Sequence, residues 1–196
     1  MKPMVGAEGL ETVDKEELRK LILERALKRG DFTLASGKKS HFYIDGKQVM
    51  FHPRGLLLIA EAFLAEIADC QVDAIGGLEM GAIPIAVAVS LRSGQIGRPI
   101  PAFFVRKEAK GHGTNLFIEG CLQQGSRVVI CDDVLTTGTS VLKAVEKVEE
   151  YDCRIVRVVS LVDREEGAVE ALAAKGYDYH PVFTLSGLGA DHARTG

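Results

Sequence analysis

A chain of 196 residues with 46% apolar content can bury a continuous core and suits one α/β domain spanning 1–196 with modest additions. Its formal net charge of −3 argues against broad nucleic-acid or anionic-membrane binding, so a polyanionic ligand would have to meet local positive charge. Residues 1–10 hold no apolar core of signal-peptide length, and no stretch reaches the roughly 18 apolar residues of a membrane span, which points to the cytoplasm.

Along the chain, Asp14 to Arg29 reads as an amphipathic helix with Leu18, Leu21, Ile22 and Leu27 inward and Gly30 as its stop. From Phe32 to Met50, aromatic and polar residues interleave without helical period, as expected of strands or loops that cover a site. Pro53 opens a strongly apolar helix to Ala68, Val72 to Gly77 reads as a strand, and Ala82 to Leu91 as a buried helix with Pro84 in its first turn. Strand Ala102 to Val105 precedes a polar stretch, Arg106 to Gly120. The apolar run from Arg127 reads as a buried strand, and Val141, Leu142, Val145 and Val148 mark the helix after it. A strand over Arg154 to Val162, a helix over Glu165 to Lys175 and a strand over Tyr179 to Leu185 complete the pattern, and Gly187 to Gly196 reads as a poorly ordered tail. Strands alternating with helices predict a parallel sheet with helices on both faces and a ligand site beyond the carboxyl ends of the strands. Cys70, Cys121, Cys131 and Cys153 lack metal-ligand spacing and are expected to be free buried thiols without a function.

The strand from Arg127 ends in Asp132 and Asp133, and Val134 and Leu135 lead into Thr136-Thr-Gly-Thr-Ser140 at the start of a helix. Backbone N–H groups there, with the hydroxyls of Thr136, Thr137, Thr139 and Ser140 around Gly138, can cradle a phosphate dianion. The two carboxylates can accept hydrogen bonds from a sugar diol or hold Mg²⁺ through water. A helix cap and a solvated turn are the plainer readings of the same residues. The spacing of this segment is wrong for a Walker loop, which needs a lysine directly before its Ser/Thr, and no G-x-G-x-x-G for a dinucleotide is present. The segment closely resembles the phosphoribosyl-pyrophosphate (PRPP) motif of the type I phosphoribosyltransferases. That resemblance implies the family fold, a central parallel sheet flanked by helices with a small N-terminal hood, here residues 1–50. It also implies that the hydroxyl loop holds the ribose 5-phosphate while the acids lie against the ribose hydroxyls.

Arg106-Lys-Glu-Ala-Lys-Gly-His-Gly113 puts three cations and a histidine beside two glycines. A positively charged flap suits a diphosphate leaving group, whose oxygens gain charge as the C–O bond breaks. Arg106 can bind bidentately, Lys107 and Lys110 act as point charges, and His112 can donate. The stretch resembles the catalytic flexible loop of the orotate phosphoribosyltransferases. Three further segments are similar to that family: Phe32 to Ser40, its signature near the orotate pocket; Gly76 to Pro84, its diphosphate loop, with Glu79, Met80, Gly81 and Ala82 at the centre; and Leu161 to Gly167, whose Arg164 would pair with the orotate carboxylate. By the same resemblance Thr136, Phe42 and Tyr43 would line the orotate site. Ala35 and Gly81 stand where some members carry lysine, and Lys38 or Lys39 can compensate at the first.

The resemblance spans about Phe32 to Gly187 and implies transfer of 5-phosphoribosyl from PRPP to orotate with Mg²⁺ held mainly through PRPP and water near Asp132 and Asp133. It implies a homodimer whose flexible loop serves the neighbouring site. Alternatives are a purine or uracil phosphoribosyltransferase of the same fold and a non-catalytic PRPP-sensing regulator. The flap and Arg164 disfavour the first, because a neutral base needs no carboxylate partner. The second would bring a nucleic-acid-binding element, and the chain has no spare helix-turn-helix or basic stripe.

Overall fold

The computed structural model describes residues 13–33, 39–109 and 117–189. Helix α1 (Lys15–Leu21) starts at Asp14, whose side chain accepts the Glu17 N–H at 2.8 Å, and continues into a π-helical turn, Ile22–Ala26. The chain then turns extended. Strand β1 (Leu27–Thr33) pairs antiparallel with β2 (Lys39–Ile44), so the helix expected through Arg29 ends before Leu27. The inward stripe is Leu18, Ile22 and Ala26, and beyond it the cross-strand bonds from Leu27↔Ile44 onward outweigh helical propensity.

A short helix α2 (Lys47–Met50) leads to α3 (Pro53–Glu66), which has proline in its first turn and His52 Nδ1 accepting the Gly55 N–H at 3.3 Å. Strand β3 (Ala74–Gly76) is followed by α4 (Ala82–Gln95), β4 (Phe103–Val105), β5 (Ile118–Gly120) and β6 (Arg127–Leu135). Helix α5 (Thr139–Glu150), β7 (Arg154–Asp163), α6 (Ala168–Ala173) and β8 (Tyr179–Thr184) complete the chain. The main sheet is parallel, in the order β3-β6-β7-β8, and single parallel bridges Ile75↔Ala102 and Leu78↔Val105 attach the β4–β5 hairpin beside β3.

Alternation along β6 divides the core as a parallel sheet with two covered faces requires. Val129 and Cys131 join the cluster with α1, α3 and α4, whereas Val128 and Ile130 join the one with α5 and α6. Arg157, almost fully buried on β7, is charge-paired with Asp69 at 2.7 Å and Asp178 at 2.8 Å, which ties the end of α3 to the β7–β8 edge. Of the expected tail only Gly187 to Gly189 lie within the described residues; there Leu188 is buried and its carbonyl accepts from Arg19 at 3.3 Å. Of the four thiols, Cys131 and Cys153 are buried, but Cys70 is only half-buried and Cys121 is exposed. Among the described residues, no helix is long and apolar enough to cross a membrane.

Candidate active site

From β3 the chain goes outward to β4, and from β6 it goes the opposite way to β7 and β8. The crevice beyond the carboxyl ends of β3 and β6 is therefore the topological switch point of the sheet, the usual ligand position in such folds. Three segments converge there. A Cβ added at Gly81, in the loop after β3, would collide with Asp132 Oδ1 and lie 2.5 Å from Asp133 Oδ1. One added at Gly46, before α2, would lie 2.6 Å from Asp133 Oδ2. Both loops can pack on the acid pair only because these two positions lack a side chain. The lysine that some relatives of the motif carry at position 81 would, on this backbone, claim the space of the carboxylates.

Asp132 is 7% exposed, and its Oδ1 accepts the Asp133 N–H at 2.9 Å. Burial first, and then the charge of Asp133, push the Asp132 carboxyl up to about 8. Burial also raises Asp133, against the pull of the Lys47 ammonium, and Lys107 pulls Asp132 in the same downward sense. Two shielded carboxylates side by side form a place where a cation or a pair of donor hydroxyls relieves repulsion. An unfolded Asp ionises near its ordinary value of about 4, whereas folded Asp132 holds its proton to higher pH, so the site costs stability progressively as pH rises from about 4 to about 8. Asp132→Asn should leave the melting temperature of the ligand-free protein unchanged near pH 4 and raise it near pH 8, by about 1–3 kcal/mol of stability because the pair shares the strain. Melting curves of both proteins at the two pH values test this, and a gain at pH 4 equal to that at pH 8 would contradict it.

At the end of β6, Val134 pairs with Val162 and the buried Leu135 with Asp163, so their side chains serve packing and only their backbone can face a ligand. Gly138 turns the chain with φ 77° and stands at the N-cap of α5, where no side chain bonds the free N–H groups. Their donors are therefore left for another acceptor. Thr137 and Thr139 share a hydrogen bond of 2.9 Å between their hydroxyls, Thr136 is half-buried and Ser140 is exposed. The hydroxyl cluster is not spent on capping.

The β4–β5 hairpin forms the base of the expected flap. The Arg106 N–H donates to the Phe117 carbonyl at 2.8 Å, and its guanidinium meets the Glu108 carbonyl at 3.3 Å and Glu119 at 3.8 Å. The Lys107 N–H donates to Glu79 Oε1 at 3.0 Å. Lys110 and His112 lie outside the described residues, as do Ala35 and Lys38. In the diphosphate-loop segment, Met80 is 58% exposed while Ala82 is buried at the start of α4.

Arg164, 7% exposed, is held from both sides: its N–H donates to the Leu135 carbonyl at 2.9 Å, and Nη2 lies 2.9 Å from Glu166 Oε1. Glu165 between them has φ 58° and uses its carboxylate on the Ser186 N–H at 2.8 Å and hydroxyl at 2.7 Å. Phe42 and Tyr43 are successive in β2, so their side chains leave opposite faces of the hairpin, and Tyr43 packs on Phe32 with ring centroids 5.6 Å apart. Gly46 and Lys47 are contributors that the sequence pattern did not single out, and Glu79, expected in the diphosphate loop, turns its carboxylate to the Lys107 N–H. The one local signal for Gly46 and Lys47 is the Asp45-Gly-Lys47 turn between an aromatic and an apolar run.

The fold and this site define a phosphoribosyltransferase: the family model for the phosphoribosyl transferase domain matches residues 46–181. An orotate phosphoribosyltransferase of Rhodopseudomonas palustris is 46% identical over 179 residues, covering 89% of this chain and 96% of the relative. That of Aquifex aeolicus is 44% identical, covering 90% and 98%. Among solved structures, Mycobacterium tuberculosis orotate phosphoribosyltransferase in complex with PRPP superposes with a TM-score of 0.77 at 37% identity, over 90% of this chain and 99% of that one. The same enzyme in complex with Fe(III) dicitrate gives 0.82 at 39%, with equal coverage. The chain belongs to the orotate phosphoribosyltransferase family.

Proposed function

We propose that this chain transfers the 5-phosphoribosyl group of PRPP to N1 of orotate, giving orotidine 5′-phosphate and diphosphate in pyrimidine biosynthesis, with the residues at the switch point dividing the work as follows. The observation that carries the reading is the meeting of the acid pair, the glycine loop after β3 and the uncapped N-terminus of α5 in one crevice. Backbone N–H groups of Thr137 to Ser140, with the hydroxyls of Thr136, Thr137, Thr139 and Ser140, hold the 5-phosphate. Asp132 and Asp133 accept from the ribose hydroxyls. The loop Glu79 to Ala82 and the cations Arg106, Lys107 and Lys110, with His112, receive the diphosphate as its charge grows. Arg164 pairs with the orotate carboxylate beside Thr136, and one of Phe42 and Tyr43 covers the base.

The donor set suits Mg²⁺, a hard cation that keeps water and phosphate oxygens in its shell: among the described residues no group of three acidic or histidine ligands forms a closed cage, and the two shielded carboxylates supply the protein's share. The ion would neutralise charge on the diphosphate. Orotate already carries negative charge and the ribosyl carbon develops oxocarbenium character, so positioning and charge matter more than a protein base. The N-terminal segment covers the base site, the segment that carries Arg106 and Lys107 acts across a two-fold dimer, and the enzyme works in the cytoplasm.

A transferase for a neutral purine is the nearest rival, and adenine phosphoribosyltransferase of Leishmania donovani shares only the fold, with a TM-score of 0.64 at 16% identity. The test is loss of orotate with PRPP and Mg²⁺, measured beside uracil, hypoxanthine and adenine. Turnover of orotate alone is expected, and equal or faster turnover of a neutral base would overturn the reading.

A further inference from the structure

We infer that Glu79 is a positioning residue: its carboxylate stitches the diphosphate loop to the base of the flap and thereby fixes where Lys107 presents its ammonium. The inference rests on the reading that Lys107 assists departure of the diphosphate. A carboxylate is an unexpected component of a loop that receives a polyanionic leaving group, since a free one would repel it. Here it is engaged elsewhere. Glu79 Oε1 accepts the Lys107 N–H at 3.0 Å, the Glu79 N–H donates to the Val105 carbonyl at 2.9 Å, and the Val105 N–H donates to the Gly77 carbonyl at 2.8 Å. Three hydrogen bonds thus join residues 77–79 to residues 105–107.

The two backbone bonds continue the Leu78↔Val105 bridge and would form with any side chain at position 79. The third depends on Glu79 alone, and it acts two residues beyond the end of β4, where the hairpin gives way to the flap. It falls on the backbone of the cation whose charge reaches Asp132 across the crevice. With that bond made, the diphosphate loop and the first flap lysine move as one unit, and the carboxylate is turned toward an N–H donor. Without it, the Lys107 peptide is held from the diphosphate-loop side only through Val105.

The test is a double-mutant cycle on the full chain, with kcat and the KM for PRPP measured for the wild type, E79A, K107A and the double variant, and E79Q as the conservative control. E79A should lower kcat roughly 5- to 30-fold, as for losing one charge-assisted hydrogen bond to a group used in the transition state, with a smaller change in KM. E79Q should stay within about threefold of the wild type, because the amide carbonyl still accepts from the Lys107 N–H. In the K107A background, E79A should cost almost nothing further. Equal losses in both backgrounds, or an unchanged kcat in E79A, would overturn the inference. A wild-type kcat in K107A would instead remove the role given to Lys107 itself, and is thereby distinguishable. Thermal unfolding reports whether E79A folds, and E79M, closer in volume and equally without the acceptor, takes its place in the cycle if it does not.

Discussion

Arg164→Ala should weaken orotate binding by about 2–5 kcal/mol, roughly 30- to 5000-fold in Kd, while the Kd for PRPP barely moves. The expectation comes from a guanidinium 7% exposed at the carboxyl end of β7, where a planar fork matches a carboxylate in a place poorly screened by water. The ion pair with Glu166 at 2.9 Å sharpens the prediction. That contact fixes the plane of the guanidinium before substrate arrives, so little ordering remains to be done on binding. Arg164→Lys should recover only part of the affinity, since a point charge cannot reproduce two parallel hydrogen bonds or satisfy Glu166 in the same geometry. Calorimetric titration of both ligands into the same variant decides the matter. A parallel loss of orotate and PRPP affinity would mean a collapsed site, which melting curves would also register because Glu166 has lost its partner. Unchanged orotate affinity would place the carboxylate partner elsewhere, with Lys38 or Lys39 next in line.

Lys107→Ala is expected to lower kcat by roughly ten- to a thousandfold, the ~1.4–4 kcal/mol of one charge contact made chiefly in the transition state. Two features locate the effect in catalysis rather than binding. The Lys107 backbone is anchored at the mouth of the crevice by Glu79, and its charge already favours the ionised form of Asp132 in the free protein. Loss of the cation should also change the free enzyme, since Asp132 loses a neighbour that favours its ionised form and will hold its proton more tightly. Steady-state kinetics at saturating orotate separate the possibilities. A raised KM for PRPP with kcat intact would make Lys107 a ground-state binding residue, and the transition-state role would then fall to Lys110 or His112.

Much of the molecule could be read along the chain because its signals are local. The buried strands β6 and β7 are rich in apolar runs and the alternation with α3, α4 and α5 implied a parallel sheet, whereas the strand expected to end at the two acids runs on through Leu135, because Val134 and Leu135 still pair with β7. The hydroxyl loop was equally legible, since five consecutive residues carry both the donors and the turn, and Gly138 takes the left-handed conformation that such a turn demands. The antiparallel pairing of β4 and β5, Phe103↔Gly120 to Val105↔Ile118, was not legible, because strands of three residues carry no usable periodicity.

Other features depended on partners far away in sequence. Leu27 to Arg29 continue the helical pattern and become strand only because Lys39 to Ile44 offers them a ladder, and Leu188, beyond the last strand, finds a place in the core. Gly46 and Lys47 reach Asp133, and Glu79 reaches Lys107, across separations that no local spacing encodes. The chemistry of the site was written in short consecutive motifs, whose backbone geometry is local and whose residue types are few. Its electrostatics and the meeting of its loops were not, since burial, close approach and charge proximity arise only when the sheet brings the carboxyl ends of β3, β6 and β7 side by side.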